Sequence, residues 1–230
     1  MAIGMLQDTL SLDTYWEELV FTEARLSGDE QASEFAPAFK DLIGRLGTVR
    51  DGQFVVWHEE VSAQAAVSAA DDHLDDFIRA LARTLLRVVN DEIKSPRYLR
   101  YFTVTPSSLV RLGLESEVAR VRGWVDSLGS EPEKELQDLG ARLRVLVEQG
   151  DQVLERRRKA AAARSDHRVR AIAPFIDEIN RARLALYGSL TQKAAENHLA
   201  RDWADRFFRH NTRPPKEEPQ PVPPDGRSAA

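Results

Sequence analysis

Three stretches of this 230-residue chain concentrate ionisable side chains at spacings that could do chemistry. Trp57-His58-Glu59-Glu60 sets two carboxylates beside an imidazole. Asp71, Asp72, Asp75 and Asp76 form an acidic run. Glu155-Arg156-Arg157-Arg158-Lys159, continued by Arg164, Arg168 and Arg170, forms a basic one.

Carboxylates at helical spacing on facing helices are how helical hydrolases hold Mg²⁺ and activate water. The set for that chemistry is Glu59, Glu60, Asp72 and Asp75. Asp72-x-x-Asp75 has the spacing, but no Glu-x-x-Glu segment accompanies it. The five histidines, at 58, 73, 167, 198 and 210, include no pair at i,i+3 or i,i+4, so no one helix offers two imidazoles to a metal. A di-metal bundle also needs Glu-x-x-His on two helices, and neither is present. His73 with Asp76 and His198 with Asp202 share helix faces, as charged helices commonly arrange. Nucleophile elbows, dinucleotide fingerprints and phosphate-binding loops are absent. The sequence therefore names no catalytic residue, no metal ligand and no cofactor.

The basic run, residues 156–170, matches phosphate binding, each contact adding salt sensitivity. It winds around its helix rather than lining one face, and the chain carries a net charge of −5. A nucleic-acid-associated regulator is thus the second reading of function, and a Mg²⁺-dependent helical hydrolase the third. Arg156, Arg157, Arg158 and Lys159 are also candidates for contact with a protein. So are two aromatic clusters, Tyr98, Tyr101 and Phe102 in one and Trp203 and Phe207 in the other, because Tyr and Trp are common interface anchors. Packing against a bundle is the competing role for both.

The elements that position these groups are helices. Hydrophobic residues make up 42% and charged residues 30%, with only 12 glycines, which suits helices with long wet faces and not a sandwich or barrel. A first helix is expected over Leu10–Leu26, ended by Ser27-Gly28-Asp29. A second carries Phe35, Phe39, Leu42, Ile43 and Leu46, with Pro37 kinking or starting it and Gly47 stopping it. Asp51-Gly52 reads as a turn. A long helix over 53–90 follows, with Leu74, Ile78, Leu81, Leu85 and Val88 as its seam. Small residues fill 62–70, where a neighbouring helix could approach closely.

Ser95-Pro96 breaks that helix. Arg97–Val104 reads as an ordered connector or a single edge strand. Thr105-Pro106 is a helix start, with Thr as N-cap and Pro at N1. That helix carries Leu114, Val118, Val121, Val125 and Leu128. The next, over 131–164, carries Leu136, Leu139, Leu143, Leu146, Gly150 and Val153. Ser165 caps another helix with Ile172, Ile176, Ile179, Ala182 and Leu186, interrupted at Gly188. A last stripe is Ala195, Leu199, Trp203 and Phe207. Residues 212–230 hold six prolines, including Pro221-Val-Pro-Pro224, and read as a disordered proline-rich tail.

Two short matches point to a duplication. Residues 39–46 resemble 136–143, and 66–73 resemble 160–167. The halves would be 8–95 and 105–210. Chance likeness between Ala-, Leu- and Arg-rich helices explains the same matches.

With no cysteine, disulfides and thiolate metal sites are excluded. The N-terminus lacks the basic start of an export signal, and no apolar run is long enough to span a membrane, so a cytoplasmic location and no membrane insertion are expected. The expected fold is all-α: an elongated antiparallel bundle of six or seven helices with coiled-coil-like seams, spanning residues 1–211. The leading function is a non-enzymatic interaction or assembly protein that binds a protein partner or itself.

Overall fold

The computed structural model describes residues 5–7 and 9–209. The proline-rich segment 212–230 and His210 lie outside the described residues. The fold is an all-α helical bundle, and among the described residues there is no strand.

Helix α1 spans Leu12–Ser27. Its N-cap is Ser11, whose hydroxyl accepts the Thr14 N–H, satisfying one of the orphan donors of the first turn. A 3₁₀ turn, Ser33–Phe35, leads into α2, Ala36–Val88. Pro37 stands in the first turn of α2, where its missing N–H costs nothing. The expected stop at Gly47 and turn at Asp51-Gly52 are not there: α2 runs through both for 53 residues. A mid-helix glycine costs only about 1 kcal/mol relative to alanine, which tertiary packing readily offsets.

The 97–104 segment is not a strand. Pro96–Leu99 is one helical turn, α3, and Pro106–Leu109 is another, α4. Thr105 is the N-cap of α4, accepting the Ser108 N–H as expected. The helix expected to follow is divided. Gly113 adopts φ +78°, which favours glycine, and α5 begins at Leu114 and ends at Val121; α6 then covers Trp124–Gly129. Helix α7, Lys134–His167, passes the expected cap at Ser165. A π-helical turn, Arg168–Ile172, joins it to α8, Ala173–Glu196. Such turns relieve crowding in the helical ladder, and Pro174, with no N–H and a bulky ring, lies two residues beyond. Gly188 does not interrupt α8. The last stripe is not one helix: His198 has φ +52°, and Ala204–Phe207 is a short 3₁₀ turn.

The chain divides into two compact units. The first comprises residues 1–46 and 176–230. Its described part buries Tyr15, Leu19, Leu26, Phe39, Leu46, Ile179, Leu190 and Phe207. Leu6 is tied to Asn180 by two hydrogen bonds, 2.9 Å from its N–H to Oδ1 and 3.0 Å to its carbonyl oxygen from Nδ2.

The second unit comprises residues 47–175. Leu74, Ile78, Leu81 and Leu85 of α2 are buried in its core as the spacing required, with Phe77 beside them and Val88 partly buried. On α7 the buried line is Leu136, Gly140, Leu143, Val147, Gly150 and Leu154, while Leu139, Leu146 and Val153 are partly buried beside it. The expected line is thus displaced towards the two glycines. A Cβ on Gly140 would come within 3.0 Å of Leu128 Cβ and 3.1 Å of the Gly129 nitrogen; one on Gly150 would reach 2.7 Å from Val118 Cγ2. These bare positions let α7 approach α5 and α6 closely. No described helix is long and apolar enough to cross a membrane.

Candidate interaction surface

The basic run lies on α7 with most of its charges already answered. Arg156 binds Glu59 of α2 through two hydrogen bonds, 2.8 and 3.0 Å. That hydrogen bonding holds the Glu59 carboxyl below its ordinary range and raises Arg156. Arg158 reaches Glu115 at 3.2 Å and Glu155 at 3.4 Å; Arg157 lies 3.8 Å from Glu115, and Lys159 lies 3.6 Å from Glu155. Arg164 pairs with Glu60, and Arg170 with Asp166. All are surface pairs, each worth little stability. Their effect is to neutralise the run from within the chain.

The hydrolase set does not converge. Glu59 and Glu60 face arginines of α7, Asp75 pairs with Arg79 at 2.8 Å, and Asp72 is exposed. A different acidic group forms where α5 meets α2. Glu117 is fully buried, and neither of its carboxylate oxygens has a hydrogen-bond partner; Asp71 Oδ1 and Asp75 Oδ1 are in the same position. Burial first, and then the charges of Asp75 and Asp71, push Glu117 up to about 7. No three or more His, Asp or Glu side chains among the described residues are arranged to hold a metal ion.

The aromatic candidates are buried. In the second unit, Tyr98 packs on Phe102 at 5.2 Å between ring centres, and Phe102 and Tyr101 meet Trp124 edge-on at 5.3 and 5.8 Å. The Tyr101 hydroxyl donates to Glu131 at 2.7 Å, and Arg97 spans Glu131 and Glu133, with 2.9 Å from its Nε to Glu131. This fully paired network fixes the connector to the start of α7. In the first unit, Trp203 packs on Phe207 at 4.9 Å and donates its indole N–H to Asp29 at 3.1 Å.

A further surface lies on α2; its small-residue half, 62–70, was expected to admit a neighbouring helix, but its aromatic half was missed. Phe54 is 60% exposed, Val55 65%, Trp57 47% and Val61 52%. The Phe54 and Trp57 rings touch, 5.8 Å apart and tilted by 57°. Further along the same face Gln64, Ala65, Ser68 and Ala69 are exposed. Between Gly52 and Ala70 the only formal charges are Glu59 and Glu60, and both lean onto α7. An uncharged, partly aromatic face about five turns long therefore stands open on a chain that is 30% charged. One signal for it was available in the sequence: the charge-poor interval 61–70 continues the aromatic pair Phe54 and Trp57 at helical spacing. Exposed apolar patches of this kind mark contact sites more often than chance. No family model, no curated protein and no solved structure matches this chain.

Proposed function

We propose that this chain is a non-enzymatic helical interaction protein, and that the face of α2 from Phe54 to Ala69 receives a protein partner. The single observation that carries the reading is the exposed, uncharged Phe54–Trp57–Val61 line, in a molecule whose other candidate groups are taken up by its own packing and ion pairs. Phe54 and Trp57 are already about half buried, so covering each removes on the order of 100 Å² more from water, and the two rings are the natural anchors of a helix-to-helix contact.

The test places a photo-reactive benzoylphenylalanine at Trp57 and, in a control, at the exposed Lys134, in cells that make the protein. Discrete adducts from position 57 and none from 134 are the expected result, whether the adduct holds another protein or a second copy. Equal labelling at both positions, or none at 57, would overturn the reading.

A further inference from the structure

The open face of α2 has a symmetry in its residues. Arg50, Phe54, Trp57, Val61, Ala65, Ser68 and Asp72 are all exposed and all lie in the second unit. At 100° per residue they fall within about 40° of one line along the helix. Their spacings are 4-3-4 up to Val61 and 4-3-4 after it, so the line reads the same in both directions about that residue.

The side chains are complementary about the same point. Large groups precede Val61 and small ones follow it. When two copies of the line are laid antiparallel with Val61 on the axis, each position meets the one equally far beyond the centre. Phe54 meets Ser68, Trp57 meets Ala65, and Val61 meets itself. Large-against-small pairing is what lets two helices interdigitate without voids. At the ends Arg50 meets Asp72, twice by symmetry, so opposite charges close the contact, and no like charges face one another between them.

We propose that α2 pairs with α2 of a second copy of this chain, antiparallel, about a twofold axis through Val61. The self-complementary pattern is what an isologous interface requires. The paired line is about 33 Å long at 1.5 Å per residue. With Phe54, Trp57 and Val61 each about half exposed beforehand, two faces together remove on the order of 600 Å² of exposed apolar side chain. The rim residues His58, Gln64 and Ala69 carry the contact towards the roughly 1,200 Å² at which specific, reversible interfaces begin. The inference rests on the proposal that this face binds protein, and names the partner.

The experiment uses the full chain. Light scattering behind size exclusion, over a dilution series, is expected to give twice the mass of one chain, falling towards one at low concentration. Arg50→Asp and Asp72→Arg singly each weaken dimerisation by about 10-fold or more, since both ends of the contact change at once. Together they restore it to within a few-fold. The chain has no cysteine of its own, so mild oxidation of Val61→Cys links two copies. Phe54→Cys does not link, because its two copies would stand about 21 Å apart along the helices. These positions are exposed, and unchanged far-UV circular dichroism verifies each variant. A monomer at all concentrations, or linking of Phe54→Cys as fast as Val61→Cys, overturns the proposal. A monomer that still yields Trp57 adducts to another protein defeats the self-pairing and leaves the interaction reading standing; no adducts at all defeat both.

Discussion

His167, at the end of α7, lies against the bare backbone of Gly52 in the middle of α2. A Cβ built on Gly52 would stand 2.7 Å from His167 Cε1. The imidazole is held there by its Nε2, which donates to the Val49 carbonyl oxygen at 3.2 Å. Gly52 is thus not a turn residue but the floor under a ring.

The relationship predicts a coupling. Alanine at a helical glycine ordinarily gains about 1 kcal/mol, and Gly188→Ala, with nothing within 4 Å of the new Cβ, is expected to show that gain. Gly52→Ala must instead displace the His167 ring and is expected to be neutral or destabilising. In a His167→Ala background the same change should recover the gain. Denaturant midpoints for the four chains of this cycle measure it: a coupling of about 1 kcal/mol or more is expected, and additive effects would show that the contact carries no energy.

Glu117 predicts the pH dependence of stability. Its folded pKa, pushed up to about 7 by burial and by the neighbouring Asp75 and Asp71, lies above the ordinary 4.5. Asp71 is shifted the same way by burial and by Asp75 and Asp72. Arg79 of α2 is held on Asp75 and Asp76. A group whose pKa is higher in the folded chain contributes stability that is whole below the unfolded pKa and lost as pH rises through the folded one. The protein should therefore weaken between about pH 4.5 and pH 7. Glu117→Gln removes the charge and keeps the shape, and at pH 8 it is expected to stabilise the chain by roughly 1–3 kcal/mol. At pH 5 it should change little. Urea midpoints at the two pH values decide, and a variant equally destabilising at both would mean that the carboxyl is not strained by its neighbours.

These two sites separate what could be read in the sequence from what could not. The burial of the α2 line from Leu74 to Leu85 was legible because each residue repeats a local period, and so was the Thr105-Pro106 start, which needs only a few neighbouring residues. Gly52 was read as a turn because its reason for being glycine lies 115 residues away in His167. Gly140 and Gly150 moved the α7 line for the same kind of reason: their value is in Leu128 and Val118, which local spacing does not name. Glu117 fell inside the helix expected from Pro106, where nothing in the local spacing marks an acid as buried. The aromatics at 98–102 and 203–207 were visible as clusters, but whether a cluster faces a core or a partner depends on packing, and here both are buried.

In the first unit, Glu18 and Arg183 form an ion pair at 3.4 Å with side chains 2% and 5% exposed. Glu18 Oε2 and the Nε and Nη1 of Arg183 have no hydrogen-bond partner, and the guanidinium lies 5.6 Å over the Phe208 ring. Desolvation raises Glu18 and lowers Arg183, each towards its neutral form. The attraction in such a pair barely offsets the cost of burying it, yet one partner left alone is costly. Arg183→Met is therefore expected to destabilise by about 3–5 kcal/mol, and Glu18→Leu with Arg183→Met to recover most of that. Thermal unfolding of the single and double variants measures the difference. A double variant no better than Arg183→Met would place the loss in packing rather than in a stranded carboxylate.

The ion pairs along α7 predict how the basic run meets a polyanion. Phosphate contacts give affinity only where cations are available to release counterions, and here Glu59, Glu115 and Glu155 stand against Arg156, Arg157, Arg158 and Lys159. With a net charge of −5 besides, the full chain is expected to pass a heparin column unretained at about 0.15 M salt, where the screening length is about 8 Å. Replacing the acids should expose the latent cations. Glu59→Gln with Glu115→Gln adds two to the net charge, takes the carboxylate partners from Arg156 and Arg157 and leaves Arg158 only Glu155, so retention should appear and move to higher salt. The elution position of the two chains is the measurement. Strong retention of the unaltered chain, lost when Arg156, Arg157 and Arg158 become alanine, would instead mean that the internal pairs yield to phosphate, and would return the run to a nucleic-acid role.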